Sequence, residues 1–222
     1  MPSPEGVVEA LGHVRRRIES AGGDPTTVRV IAVTKGFGAD AVEAALAAGL
    51  SDIGENYGQE LVIKHAALGP GADRARWHFL GAVQRNKVRV LAPLVDCWQG
   101  VARLSEGAEI ARRAAGATVL VEMDTTGSPG RNGCPPGEVP GLVGALGELG
   151  LGVAGLMTVA SPDPETAAQA FRTVREVADR LGLDQRSMGM TGDLELAVAE
   201  GSTMVRVGRA LFGDRPPRRP GR

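Results

Sequence analysis

Across 222 residues the chain carries 26 acidic and 25 basic side chains, and its net charge of −1 gives no overall field for gathering nucleic acid or an anionic membrane. It is 43% hydrophobic, enough to bury a sizeable core, yet no run approaches the ~20 apolar residues that span a bilayer. Cys97 and Cys134 show no CxxC or metal-ligand spacing, and the N-terminus has no signal-peptide core; reduced thiols and a cytoplasmic location are expected.

An opening helix is predicted over residues 5–21, where Val7, Leu11, Val14 and Ile18 recur at helical spacing before the Gly22-Gly23 stop. Strand-like runs then follow at 28–35, 52–56, 77–82, 94–100, 118–124, 153–159, 185–190 and 203–208. Ala-rich helical stretches separate most of them, at 39–48, 57–68, 101–115, 139–149, 164–181 and 193–200, while 84–91 is a short, weak helix candidate. Strands each followed by a helix or short link predict an α/β fold: a single (β/α)8 TIM-type barrel with an extra N-terminal helix. Several strands lack two-residue alternation, as parallel strands covered on both faces do. A doubly wound open sheet is the alternative, weakened because no GxGxxG follows the first strand. One barrel domain is expected over residues 1–213, with a Pro/Arg-rich tail at 214–222 expected to be disordered and solubilising.

Only three of the 25 basic side chains are lysines: Lys35, Lys64 and Lys87. Lys35 closes the run Val28-Arg29-Val30-Ile31-Ala32-Val33-Thr34-Lys35, a buried strand ending in an amine. A desolvated lysine can lose its proton and condense with an aldehyde, which arginine in practice cannot. In a barrel the working groups sit at the C-terminal strand ends, and phosphates bind near the last two strands. Ser187-Met188-Gly189-Met190-Thr191-Gly192-Asp193 occupies such a junction, where free amides at a helix start suit a phosphate and an ordinary cap by Thr191 or Asp193 fits equally well. On the last strand Arg206 requires a buried partner, either a carboxylate such as Glu55 or Glu122 or a ligand, and Gly208 permits close approach to the backbone. Asn56 is placed as a polar contact or a cap, and His78 as an acid/base group or a hydrogen-bonded core histidine. No cluster has metal-ligand spacing, and no GxSxG elbow or Ser/His/Asp arrangement is visible.

Six runs in order resemble the pyridoxal 5′-phosphate homeostasis family, single-domain relatives of the alanine racemase N-terminal barrel. They are Ala32-Val33-Thr34-Lys35, Gly54-Glu55-Asn56-Tyr57-Gly58-Gln59-Glu60, Trp77-His78-Phe79-Leu80-Gly81, Gly155-Leu156-Met157-Thr158, Ser187 through Glu195, and Gly201 through Gly208. The resemblance implies a barrel holding pyridoxal 5′-phosphate as an internal aldimine (a Schiff base) on Lys35, with Arg206 facing the pyridine nitrogen. It also implies a phosphate held by Ser187, Thr191 and the backbone around Gly189, Met190 and Gly208, with Asn56 and Met157 lining the pocket. The chain departs from the family pattern at Gly36-Phe37-Gly38, where a more polar, Pro-containing segment is usual. It departs again at Arg209, where a small hydroxyl residue is common.

The function implied is intracellular storage, buffering or delivery of pyridoxal 5′-phosphate with little or no turnover. An arginine facing the ring nitrogen disfavours its protonation and weakens the cofactor as an electron sink. The alternative is a cofactor-dependent amino-acid racemase, for which the sequence lacks room for a second domain supplying the opposing base. A regulatory sensor module is a third reading. Expected partners are the cofactor and apoenzymes that use it, with no membrane or nucleic acid, and the chain is expected to be a monomer.

Overall fold

The computed structural model describes residues 2–128 and 130–215. Eight parallel strands run in chain order: β1 (Arg29–Val33), β2 (Asp52–Glu55), β3 (Arg76–Phe79), β4 (Cys97–Val101), β5 (Thr118–Glu122), β6 (Gly152–Met157), β7 (Gln185–Ser187) and β8 (Met204–Val207). Closure bears out the predicted barrel over the open-sheet alternative. β8 pairs with β1 through Arg29↔Met204, Val30↔Val205, Ile31↔Arg206 and Ala32↔Val207, so the sheet is a barrel without edges.

The helices are α1 (Pro4–Ser20), α2 (Ala39–Ala47), α3 (Gly58–Leu68), α4 (Arg85–Leu91), α5 (Leu104–Arg113), α6 (Val139–Glu148), α7 (Pro164–Arg180), α8 (Leu194–Ala199) and α9 (Arg209–Phe212). The extra N-terminal helix is α1. Ser3 caps it through the Gly6 N–H at 3.1 Å, and Val7, Leu11, Val14 and Ile18 are its buried stripe. It packs against α2, α8 and α9, across the seam where the barrel closes. The weak candidate at 84–91 is α4. Two short elements were not anticipated: α9 and a 3₁₀ segment at Gly69–Arg74. The predicted helix at 101–115 starts later, because Val101 completes β4 instead.

Most strands also end one to three residues before their predicted C-termini. β1 stops at Val33, and Lys35 therefore stands in the turn beyond it. At the barrel top the chain leaves the ladder by degrees: Thr34, Leu80, Thr158 and Met188, each one residue past a strand's end, still donate an N–H to the neighbouring strand before the chain turns off towards a helix.

Outward-facing strand residues pack under the helices, whereas Ile31, Cys97, Leu120, Met157 and Met204 form a separate apolar cluster in the lumen. Cys97 and Cys134 are free and buried, and burial pushes the Cys97 thiol up to about 12. No helix among the described residues is long and apolar enough to cross a membrane.

One strand contact tolerates no side chain at all. A Cβ on Gly155 would lie 1.9 Å from the Gln185 carbonyl oxygen, directly across the β6–β7 ladder. Gly155→Ala is expected to destabilise the protein by about 1–3 kcal/mol or more, read as a lowered urea midpoint.

Candidate functional site

The barrel top opens into a cavity of about 700 Å³. Of the residues singled out from sequence, Lys35, Asn56, Met157, Met190, Thr191, Arg206 and Gly208 line it together. Ser187 and Gly189 do not. Ser187 is fully buried beneath, and Gly189 turns the chain at φ +88° while its carbonyl accepts the Arg206 N–H at 3.0 Å. Phe37, Arg209, Asp214 and Arg215 complete one rim. The domain boundary expected after residue 213 thus runs through the cavity wall, and residues 216–222 of the expected tail lie outside the described residues.

Lys35 sits on a locked turn. The Phe37 N–H donates to the Thr34 carbonyl at 3.0 Å, Gly36 has φ +80°, and no non-glycine residue has positive φ among the described residues. Together these define a type II turn with Lys35 and Gly36 at its centre, the second place requiring glycine. Side chains from α3 grip the turn on both sides of the lysine. Lys64 Nζ donates to the Thr34 carbonyl at 2.7 Å, and Glu60 Oε2 accepts the Gly36 N–H at 2.7 Å. Lys64 also pairs with Glu55, whose Oε1 accepts the Thr34 hydroxyl at 2.7 Å. Burial pushes the Glu55 carboxyl up, and Lys64 is the chief opposing influence.

This support was not read from the sequence. The available signal was Lys64 itself, one of three lysines, four residues after Glu60 on one helical face.

Arg206 is 5% exposed, and two backbone carbonyls and a hydroxyl, not a carboxylate, satisfy it. Nη1 donates to the Ser187 carbonyl at 2.6 Å and to its hydroxyl at 2.8 Å, and Nη2 donates to the Thr158 carbonyl at 2.7 Å. Neither carboxylate considered from sequence closes an ion pair with it: Glu55 is held by Lys64, and Glu122 bonds Asn132 and acts on Arg206 only through its field. Burial pushes the guanidinium down to about 10, opposed by Glu122 and Asp193, so it stays charged at neutral pH.

At the β7–α8 junction, Asp193 occupies the cap position but accepts the Met190 N–H at 2.6 Å, which engages that amide. The Thr191 hydroxyl accepts the Ala210 N–H at 3.4 Å and ties this lip to α9. His78 is a hydrogen-bonded core residue, fully buried between Asp52 and Gln99, and does not line the cavity.

The lining is electrostatically one-sided. Lys35, Arg206, Arg209 and Arg215 face a single carboxylate among the described residues, Asp214. Burial, then Arg215 and Arg206, hold the Lys35 amine below the ordinary lysine range, with Glu55 opposing. Asn56 Oδ1 is buried without a hydrogen-bond partner among the described residues. The cavity therefore combines a nucleophilic amine with a surplus of anion-binding donors and one unsatisfied acceptor.

Residues 8–216 match the protein family described as alanine racemase, N-terminal domain. A pyridoxal phosphate homeostasis protein of Pseudomonas aeruginosa is 41% identical over 221 residues, covering 95% of both chains. The chain belongs to the pyridoxal phosphate homeostasis protein family. A second family member, from Deinococcus radiodurans, is 40% identical over 214 residues, 93% of this chain and 99% of its own. PipY of Synechococcus elongatus, solved with PLP bound, superposes with a TM-score of 0.75 at 31% identity, covering 90% of this chain and 100% of its own. Family membership bears out the resemblance read from the motif runs, most of which fall at strand ends around the cavity.

Proposed function

We propose that this chain holds pyridoxal 5′-phosphate through a reversible covalent bond to Lys35 and serves intracellular homeostasis of that cofactor, by storage, buffering or delivery, with little or no turnover. The observation that carries this reading is the placement of Lys35: a half-buried amine, held below its ordinary pKa, on a turn locked by Lys64 and Glu60 inside a cation-lined cavity. The homeostasis naming of the relatives and the PLP-bound PipY structure support it.

The residues present fit that cofactor. When bound, pyridoxal phosphate supplies an aldehyde that condenses with a neutral amine with loss of one water. Arg206 presents a permanent donor at the cavity floor, suited to a ring nitrogen that stays unprotonated. Thr191, Arg209 and Arg215 stand where an anionic group is matched, Gly208 lines the cavity beside them with its missing side chain making room for the Val33 carbonyl, and the Asn56 acceptor awaits a donor. In this reading residues 1–213 form the binding barrel, Asp214 and Arg215 add to its rim, and the chain acts as a cytoplasmic monomer.

Racemisation is disfavoured by the lining. Among the described residues it contains no tyrosine, histidine or cysteine to act opposite Lys35, and the Asp214 side chain is 93% exposed beside Arg209. Chiral analysis of alanine incubated with the loaded protein is expected to show no enzyme-like conversion; turnover that disappears in Lys35→Ala would restore the racemase reading.

The test of the main reading is a visible spectrum of protein with pyridoxal phosphate before and after borohydride, followed by peptide mass mapping. A coloured species that reduces to an adduct on Lys35 is expected. Folded protein without that adduct ends the proposal. The association rate is expected to rise with pH as the Lys35 amine loses its proton and to level off below ~10.4, the usual lysine value. Stopped-flow mixing between pH 6 and 10 reads this directly.

A further inference from the structure

Beneath the cavity a chain of hydrogen bonds crosses the barrel lumen from its lower rim to Arg206. Arg206 Nη1 meets Ser187 Oγ at 2.8 Å, Ser187 Oγ meets Gln99 Oε1 at 2.7 Å, Gln99 Nε2 meets His78 Nδ1 at 2.9 Å, and His78 Nε2 meets Asp52 Oδ1 at 2.8 Å. Five strands contribute one residue each, from Asp52 at the start of β2 to Arg206 on β8. His78, Gln99 and Ser187 are fully buried, and nothing in the proposed chemistry calls on His78 or Gln99.

The sense of every bond follows from the first. A guanidinium has only donors, so Ser187 Oγ accepts from it and must send its single proton to an acceptor, Gln99 Oε1. That fixes the Gln99 amide with its NH2 towards His78, whose Nδ1 must then be bare. The imidazole proton is left on Nε2, where the Asp52 carboxylate accepts it. The reverse sense would turn the Gln99 NH2 onto the Ser187 hydroxyl, strip that hydroxyl of its acceptor and require a doubly protonated His78. A buried polar chain of this kind is stable only when every member is satisfied.

We propose that Gln99 and His78 are positioning residues for Arg206: through a chain of fixed donor–acceptor sense they anchor Ser187 and set the guanidinium that faces the cavity, and thereby its affinity for pyridoxal phosphate. The proposal deepens, and rests on, the reading of the cavity as a pyridoxal phosphate site.

Two arms test it on the full-length protein. In the ligand-free state, long-range 1H–15N correlation of the imidazoles is expected to show His78 neutral with its proton on Nε2, assigned by loss of the signal in His78→Asn. In Gln99→Glu the new carboxylate offers Nδ1 no donor, so the His78 ring-nitrogen signals are expected to move. In Gln99→Met the Arg206 guanidinium signals are expected to move. A neutral Nδ1–H tautomer in the wild type, or an Arg206 signal indifferent to Gln99→Met, overturns the proposal.

The second arm titrates pyridoxal phosphate by visible absorbance. An Asn oxygen at position 78 sits as many bonds from the backbone as His Nδ1 and preserves the link to Gln99; a Gln nitrogen sits where Nε2 does and preserves only the link to Asp52. His78→Asn is therefore expected to bind within about threefold of wild type, and His78→Gln and Gln99→Met about tenfold more weakly, the effect of one lost buried hydrogen bond. Equal weakening of both His78 variants, with matching losses in Tm, marks a merely structural histidine and overturns the proposal, as do wild-type affinities throughout. Wild-type protein that binds no pyridoxal phosphate instead defeats the reading of the cavity, and the ligand-free imidazole and guanidinium signals then decide the relay alone.

Discussion

Lys35→Ala protein mixed with pyridoxal phosphate and reduced with borohydride will carry no cofactor label at the barrel top and will lose the coloured species. The expectation is nearly all-or-none because no other lysine amine reaches the cavity. Lys64 is 3% exposed and engaged by Glu55, Glu60 and the Thr34 carbonyl, and Lys87 lines a separate groove between α3 and α4. Lys35→Arg is the sharper control: it keeps the charge and much of the stem but cannot lose the proton that condensation requires. Full labelling of either variant within residues 2–215 would remove Lys35 from the proposed mechanism.

The same residue carries a stability consequence of opposite sign. A lysine whose folded-state pKa is depressed binds fewer protons folded than unfolded, so below the folded value it opposes folding, and the penalty is relieved as pH rises towards the unfolded value. Lys35→Met keeps the stem and removes the charge. The ligand-free variant is expected to melt slightly higher than wild type at neutral pH, by at most ~2 °C, because solvent screens part of the penalty on a half-exposed amine. The gap should close as pH approaches ~10. Scanning calorimetry at pH 7 and 9.5 measures both points, and a variant that melts lower at pH 7 would show that the amine is not strained by its surroundings.

The second large effect is structural. Lys64→Met is expected to destabilise the fold by about 3–5 kcal/mol, the usual consequence of breaking one side of a buried ion pair. In a domain of this size that corresponds to a drop of about 6–20 °C in Tm. Glu55 has no exposure, its Oε2 has no hydrogen-bond partner among the described residues, and Lys64 supplies its principal counter-charge. Without Lys64 the carboxyl can remain buried only by taking a proton. A raised folded pKa makes the folded state the better proton binder, so the deficit should be smaller near pH 5 than near pH 8.

Glu55→Gln combined with Lys64→Met removes the stranded charge and should recover part of the loss. Because Lys64 also holds the Thr34 carbonyl, the single variant should form the Lys35 adduct more slowly even where it is folded. A Tm within 2 °C of wild type would refute this account of the turn.

The family resemblance supplied Met157 and the pocket roles of Asn56, Met190 and Thr191. The residue pattern by itself was enough for the order and kind of nearly every long element, for the apolar stripe of α1, and for Lys35, Arg206 and Gly208 at strand ends. These are legible because strand runs and helical stripes are local patterns, and because parallel strands bring their C-terminal ends to one face wherever the sheet closes. Closure itself was decided only by the tertiary structure, through the register of β8 on β1 across most of the chain length. So was the depth at which each strand-end residue sits. The chain leaves the ladder just past Thr34, which raises Lys35 onto a turn, while Ser187 stays a layer below the cavity and serves Arg206 instead of its lining. The grip of Lys64 and Glu60 on the Lys35 turn depends on how α3 packs at the barrel top, and the chain from Asp52 to Arg206 on the level at which each strand's side chains enter the barrel interior. That level is set by strand tilt and shear, quantities that belong to the closed barrel as a whole and to no single segment of its sequence.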